Sequence, residues 1–172
     1  SAPVVALELA AGSHCTTAMG NQLSYTGDLN SGRIWTSDQG TNNLIYFNVS
    51  GGNINSTVNK LALYKADGTT AFSVGDGRGS ACVQDAGNGK IYVASKDTYP
   101  ALFGSDGKLI EQMQANTCGS NPYGAAINVF SFGNKKYALA GTYSVAANTK
   151  GGQFSLVDVT GGFAAAEAPI AK

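Results

Sequence analysis

Turn-forming dipeptides punctuate this chain at short intervals, and no other feature constrains its fold as much. Gly51-Gly52, Asp67-Gly68, Asn88-Gly89, Asp106-Gly107, Gly133-Asn134 and Gly161-Gly162 each put a residue tolerant of positive φ beside an apolar run. The runs are short: RIWTS (33–37), NLIYFNV (43–49), KLALYKA (60–66), TTAFSV (69–74), ACVQD (81–85) and KIYVASK (90–96). PALFGS (100–105), KLIEQMQ (108–114), AINVFSF (126–132), KKYALAGTYSV (135–145) and QFSLVDV (153–159) complete the series. Several hold the β-branched and aromatic residues that suit a pleated, half-buried surface. Helical periodicity is nearly absent. Short strands joined by tight turns pair with their sequence neighbours, so the expected fold is all-β and antiparallel, a meander.

Composition narrows the function classes. Lys+Arg and Asp+Glu both number 11, and the only adjacent basic pair is Lys135-Lys136. Such scattered charge gives no footprint for nucleic acid. No apolar run approaches the roughly 18 residues of a spanning helix; PVVALELAA (3–11) reads as a strand. Charged residues are only 13% of the chain while Gly reaches 23 of 172, a balance frequent outside the cell. The opening Ser-Ala-Pro in place of Met fits either a mature form or an excised piece, from which any export signal would already be missing. On composition, the expected location is secreted or cell surface. Cys15, Cys82 and Cys118 show no zinc-type spacing and are expected as small buried side chains. The sequons at Asn48, Asn55 and Asn116 matter only where the source glycosylates.

The chain also repeats itself. NLIYFNVSGG at 43–52 returns as QFSLVDVTGG at 153–162. Aligning GRIWTS (32–37), GKIYVAS (89–95) and NKKYALAG (134–141) brings Trp35, Tyr92 and Tyr137 into register. Gly/Ser-rich crossings, GDGRGSACVQD and TCGSNPYGAAINVFSF, lead into the second and third occurrences, and a weaker AGSHCTTAMGNQLSY leads into the first. These define about three units, each a small antiparallel sheet of roughly four strands. Residues 1–24 read as an N-terminal strand and lead-in, 25–162 as the repeats, and the Ala-rich 163–172 as a tail or linker.

A unit of crossing, inner strand, Asn-Gly turn, KIYVAS-type strand, second strand and Asp-Gly hairpin resembles a β-propeller blade. The likeness spans about 25–162. NGKIYVASKDTYPALFGSDGKL and FGNKKYALAGTYSVAANTKGGQFSLVDVTGG look most like blades of uncharacterised secreted or surface proteins of Bacteroidetes. The resemblance implies propeller-type repeats and, for some members, a place on the cell surface near glycan-uptake machinery. Closed propellers have about four to eight blades, so about three imply a partial propeller. Its wet faces would be covered by remaining blades of a longer chain, a second copy or a partner. A β-sandwich or partly open barrel is the alternative architecture.

Chemistry is sparse. His14 is the only histidine; in SHC its neighbours point to opposite faces of a strand, so no catalytic residue is assigned and the chain is not expected to be an enzyme. No motif links any pair of carboxylates for glycoside cleavage. GDGRGS (75–80) lacks the ligand pattern of a calcium loop and the Gly-Lys-Ser/Thr of a phosphate loop. No metal and no cofactor is expected. In a propeller the crossing loops, here 11–15, 75–82 and 117–124, gather on one face. They would present Ser13, His14, Asp76, Arg78, Ser80, Asn121 and Tyr123, a mixture of fork donor, acceptor and aromatic plate suited to a glycan or a protein ligand. Trp35 is expected in a repeated core position, with Tyr99 and Tyr143 as secondary ligand contacts. The expected function is a non-catalytic β-domain binding through those loops. The alternative is a structural module completed by another chain, and third a fragment of a larger glycan-active enzyme.

Overall fold

The computed structural model describes residues 23–28, 30–38, 41–74, 81–95, 98–114, 124–142, 153–166 and 170. Among them there is no helix, and the strands form three antiparallel sheets. The first holds β1 (Ser24–Gly27), β2 (Ser31–Ser37), β3 (Asn43–Ser50) and β4 (Asn53–Ile54) in that order, with β5 (Asn59–Ala62) also on β3. The second runs β6 (Ala81–Gly87), β7 (Lys90–Ser95), β8 (Thr98–Phe103), β9 (Leu109–Gln112). The third runs β10 (Gly124–Phe132), β11 (Lys135–Thr142), β12 (Gln153–Asp158). The all-β, meandering reading holds, and no closed barrel forms among the described residues.

Local chemistry explains the turns. Asn88 (φ 53°) and Gly89 (φ 76°) both take left-handed angles to close the β6–β7 hairpin. Asp67 Oδ1 accepts the N–H groups of Thr69 and Thr70, each at 2.8 Å. One expected strand is different. In 69–74 only Ala71 bridges, to Tyr64, because the backbone partner then switches. Phe72 N–H donates to Leu63 O (2.9 Å) and Val74 N–H to Thr41 O (3.2 Å), so no continuous ladder forms.

The pleat gives each sheet a forward face, turned to the sheet that follows in sequence, and a rear face. Trp35, opposite Ser24 on one side and Tyr46 on the other, lies on the forward face of the first sheet. It packs with Leu44 and Leu63 against Val83, Val93 and Phe103 on the rear of the second. Tyr92 and Leu102, forward on the second sheet, pack against Ile127, Val129 and Ala138 on the rear of the third. Each buried Val, Leu, Ile or Phe among these contributes on the order of 1.5–3 kcal/mol. Phe163 (1% exposed) and Ala166 belong to this second core, and Phe163 lies 5.2 Å from the Tyr92 ring. The start of the Ala-rich end is therefore packed structure. Further on, Ile170 N–H donates to Leu156 O at 2.8 Å.

β6 and β10 are edge strands, so alternate N–H and C=O groups of each lack a ladder partner. Side chains of the preceding sheet supply it. Ser24 Oγ accepts Val83 N–H at 2.9 Å. Gln84 donates Nε2–H to Val129 O and accepts Val129 N–H at Oε1, both at 2.7 Å. Cys82, a free thiol, reaches Ile127 O at 3.6 Å. The contacts advance together from 82 to 84 and from 127 to 129, so the two edge strands run in the same direction.

At the opposite side of the first two sheets the stitch is backbone to backbone. Tyr64 N–H donates to Gly107 O and Leu109 N–H to Tyr64 O, both at 2.9 Å. Gly107 has φ 80°, and a Cβ there would lie 2.0 Å from Ala62 O. Left-handed strain costs about 1–2 kcal/mol for a residue with a Cβ, and the clash would loosen both stitching bonds. Gly107→Ala is expected to lower unfolding free energy by at least about 2 kcal/mol in urea denaturation; a loss well under 1 kcal/mol would contradict this tight approach.

Candidate functional site

Ser13, His14, Asp76, Arg78, Ser80, Asn121 and Tyr123 all lie outside the described residues, as do Tyr143, Cys15 and Cys118. The strands that follow two of the crossings, β6 and β10, begin at the same end of the stack. Trp35 is 1% exposed and occupies the core position expected of it. Tyr99 is half-buried against the second core, and its carbonyl accepts Gln112 Nε2–H at 3.1 Å.

The described carboxylates are each engaged in local structure. Asp28 accepts the N–H groups of Asn30 (2.7 Å) and Ser31 (2.8 Å). Buried Asp38 meets Lys60 Nζ at 3.5 Å, Asp85 takes Gly87 N–H at 2.7 Å, and Asp106 takes Lys108 N–H at 3.1 Å. Asp158 pairs with Lys135 at 3.1 Å and with the Thr160 hydroxyl at 2.6 Å. Glu111 accepts Phe163 N–H at 2.9 Å and Ala164 N–H at 3.4 Å. Among the described residues no three His, Cys, Asp or Glu groups converge to hold a metal.

Two clefts open where adjacent sheets splay apart, both at the end marked by the β6–β7 turn. The second, of about 280 Å³, lies between the forward face of the second sheet and the third. Tyr92, Leu102 and Glu111 meet Lys136 and Phe163 there. Burial raises the Tyr92 hydroxyl above its ordinary pKa, and the Glu111 charge adds to the rise. Phe163, drawn in by the Glu111 bonds, fills much of this opening. The first cleft, of about 490 Å³, lies between the forward face of the first sheet and the β6–β7 hairpin. Here no ring enters above Trp35. The Arg33 guanidinium lies instead over the rings of Tyr46 (4.5 Å) and Trp35 (5.6 Å), and Trp35 Nε1–H is held by Thr26 Oγ1 at 2.8 Å.

Arg33 and Lys90 both line the first cleft. Neither forms an ion pair among the described residues. Asp85, Asn48 and Asn88 supply neutral and anionic hydrogen-bonding groups around them. Sequence reasoning missed this arrangement because Arg33 sits inside a strand and Lys90 opens one. A signal was present for Arg33, which precedes Trp35 by two residues and so shares its face; Lys90 stands likewise to Tyr92, on the side of the second cleft, and lies at the rim that the two clefts share.

The turns also define an acid response. The Thr70 hydroxyl, followed by the N–H groups of Thr69 and Thr70, lowers Asp67 from 3.8 to about 2. With its folded pKa depressed, Asp67 stabilises the turn above the unfolded value, and this support fades as pH falls through about 2. Thr70→Val removes the largest cause, so a carboxyl NMR titration is expected to find Asp67 back toward 3.8. An unmoved value would show that the hydroxyl is not responsible.

No protein-family model and no curated protein matches the sequence. A solved structure similar to it is that of a DUF4623 family protein from Bacteroides eggerthii, at 17% identity and a TM-score of 0.60. The match covers 83% of this chain and 30% of that one, so the chain spans under a third of its neighbour's length. The likeness concerns the fold: an all-β, antiparallel arrangement shared with a protein of a Bacteroides species.

Proposed function

We propose that this chain is a non-catalytic, propeller-type binding domain that works outside the cell as one arc of a larger ring of sheets. The carrying observation is the forward face of the third sheet. In the first and second sheets that face is buried by the next sheet. In the third, Phe130 is 42%, Phe132 76% and Leu139 39% exposed, with the Tyr137 ring 5.9 Å from Phe130. Pairing of Phe132 with Lys135, Phe130 with Tyr137 and Asn128 with Leu139 puts all of these on one face. Tyr137 thus repeats the forward orientation of Trp35 and Tyr92, with no sheet beyond it among the described residues.

An apolar face of this kind on a folded domain marks a surface to be covered. The two junctions in the molecule define the cover. It is an antiparallel sheet whose rear presents small aliphatic side chains, as Ala81, Val83 and Val93 do to Trp35 and as Val129, Ala138 and Ala140 do to Tyr92. The solved neighbour, in which the matched portion is 30% of the chain, has length enough for such additional sheets. A completed ring would gather the crossing segments that carry Arg78 and Tyr123 around one axis, where a glycan or protein ligand would bind.

Phe130→Asp combined with Leu139→Asp tests this reading. Both positions contribute little to the fold of the isolated chain, so the melting midpoint is expected to stay within about 3 °C of the parent. Binding of a hydrophobic fluorescent dye, and any concentration-dependent sedimentation, are expected to fall at least fivefold. A melting midpoint lowered by about 10 °C or more, which would make this face part of the chain's own core, or dye binding left intact, would overturn the reading of this face as one built to be covered.

A further inference from the structure

We propose that the cleft between the first two sheets binds an acidic saccharide, with Arg33 and Lys90 receiving a uronate carboxylate. Both walls belong to described sheets, so this site stands whether or not a fourth sheet covers the third. The two clefts occupy equivalent places in successive junctions, yet they differ in what fills them. Phe163 and the carboxylate of Glu111 close the second. The first is larger, about 490 against 280 Å³, and the guanidinium of exposed Arg33 lies over the rings of Trp35 and Tyr46.

That guanidinium is held in place. Tyr46 and Trp35 lie beneath it at 4.5 and 5.6 Å, and Trp35 is fixed by its bond to Thr26. Arg33 keeps its guanidinium on the rings while lining the cleft, and a guanidinium is a planar donor fork matched to a carboxylate. Lys90, at the rim shared with the second cleft, adds a second cation from the β6–β7 hairpin. Neither cation is ion-paired among the described residues, and with Arg33 and Lys90 set against the single carboxylate of Asp85 in the lining, the cleft keeps a net positive charge that suits an anionic group.

The remaining lining selects among anions. Asp85 would repel a densely charged sulfated or phosphorylated polymer, but it can accept hydroxyl hydrogens. Asn48 and Asn88, with both donor and acceptor groups, suit a hydroxyl-rich molecule equally. Trp35 is buried beneath Arg33, so no exposed ring is offered for sugar stacking; recognition rests on charge and hydrogen bonds. One carboxylate among several hydroxyls describes a uronic acid.

Isothermal titration with galacturonate, glucuronate and mannuronate trimers tests the site. The controls are the corresponding neutral hexose trimers and tri-glutamate. At least one uronate trimer is expected to bind, with its neutral counterpart and tri-glutamate at least tenfold weaker. Arg33→Ala is expected to weaken binding at least tenfold and Lys90→Ala several-fold, with Arg33→Lys intermediate because it keeps charge and loses the fork. Affinity is expected to fall as salt rises. Lys90→Ala, at an exposed position, leaves folding intact and decides the matter even where Arg33 variants are unstable. The proposal is overturned by absence of uronate binding, by equal binding of neutral trimers or tri-glutamate, or by affinity indifferent to Lys90.

Discussion

The amide of Gln84 does for β10 what a neighbouring strand would otherwise do. An edge strand exposes every second N–H and C=O, and leaving them buried without partners costs on the order of 1–3 kcal/mol each. Gln84 answers both groups of Val129 at once, at 2.7 Å. Ser24 answers Val83 one junction earlier. Because these bonds run from the forward face of one sheet to the inner edge of the next, they fix which edge lies innermost and in which direction it points. Apolar packing alone is non-directional and would permit two sheets to slide or reverse. The polar contacts convert a stack of greasy faces into an ordered series.

The rest of the architecture follows from that ordering. Inner edges are locked at both junctions, the first two sheets are also stitched through Tyr64 and Gly107, and the two clefts lie toward the β6–β7 turn. The chain treats them differently. One receives Phe163 and the backbone bonds to Glu111; the other keeps a stacked arginine and open space. Carboxylates elsewhere serve the turns: Asp28, Asp67 and Asp158 are all held below their ordinary pKa by nearby hydroxyl or amide hydrogens. These carboxylates are thus committed to holding turns.

Much of the fold could be read from residues alone because its determinants are local. Asn88-Gly89 and Asp106-Gly107 carry their turn geometry within two residues, and the recurring aromatics mark equivalent forward positions in three sheets. Other determinants act across long stretches of sequence. Gln84 looks like an ordinary polar strand residue, and only its approach to Val129, 45 positions away, gives it a role. Phe163 sits in an Ala-rich end whose composition suggests a linker; Glu111, 52 positions earlier, draws it into the core. The stretch 69–74 has strand composition, but its partners change midway. Arg33 reads as a solvated strand residue until Tyr46 is seen beneath it. The loop residues expected to bind ligand, from Ser13 to Tyr123, lie outside the described residues, whereas the cleft of Arg33 and Lys90 is built on strands.

Amide hydrogen exchange at β10 addresses the ordering of the sheets most directly. Val129 and Ser131 have N–H groups on the same free edge, and of the two only Val129 has a side-chain partner from the preceding sheet. If side-chain capping joins the sheets, Val129 will exchange only through global unfolding, orders of magnitude more slowly than Ser131. Equal, fast exchange at both amides would mean that the second and third sheets are not coupled in this way.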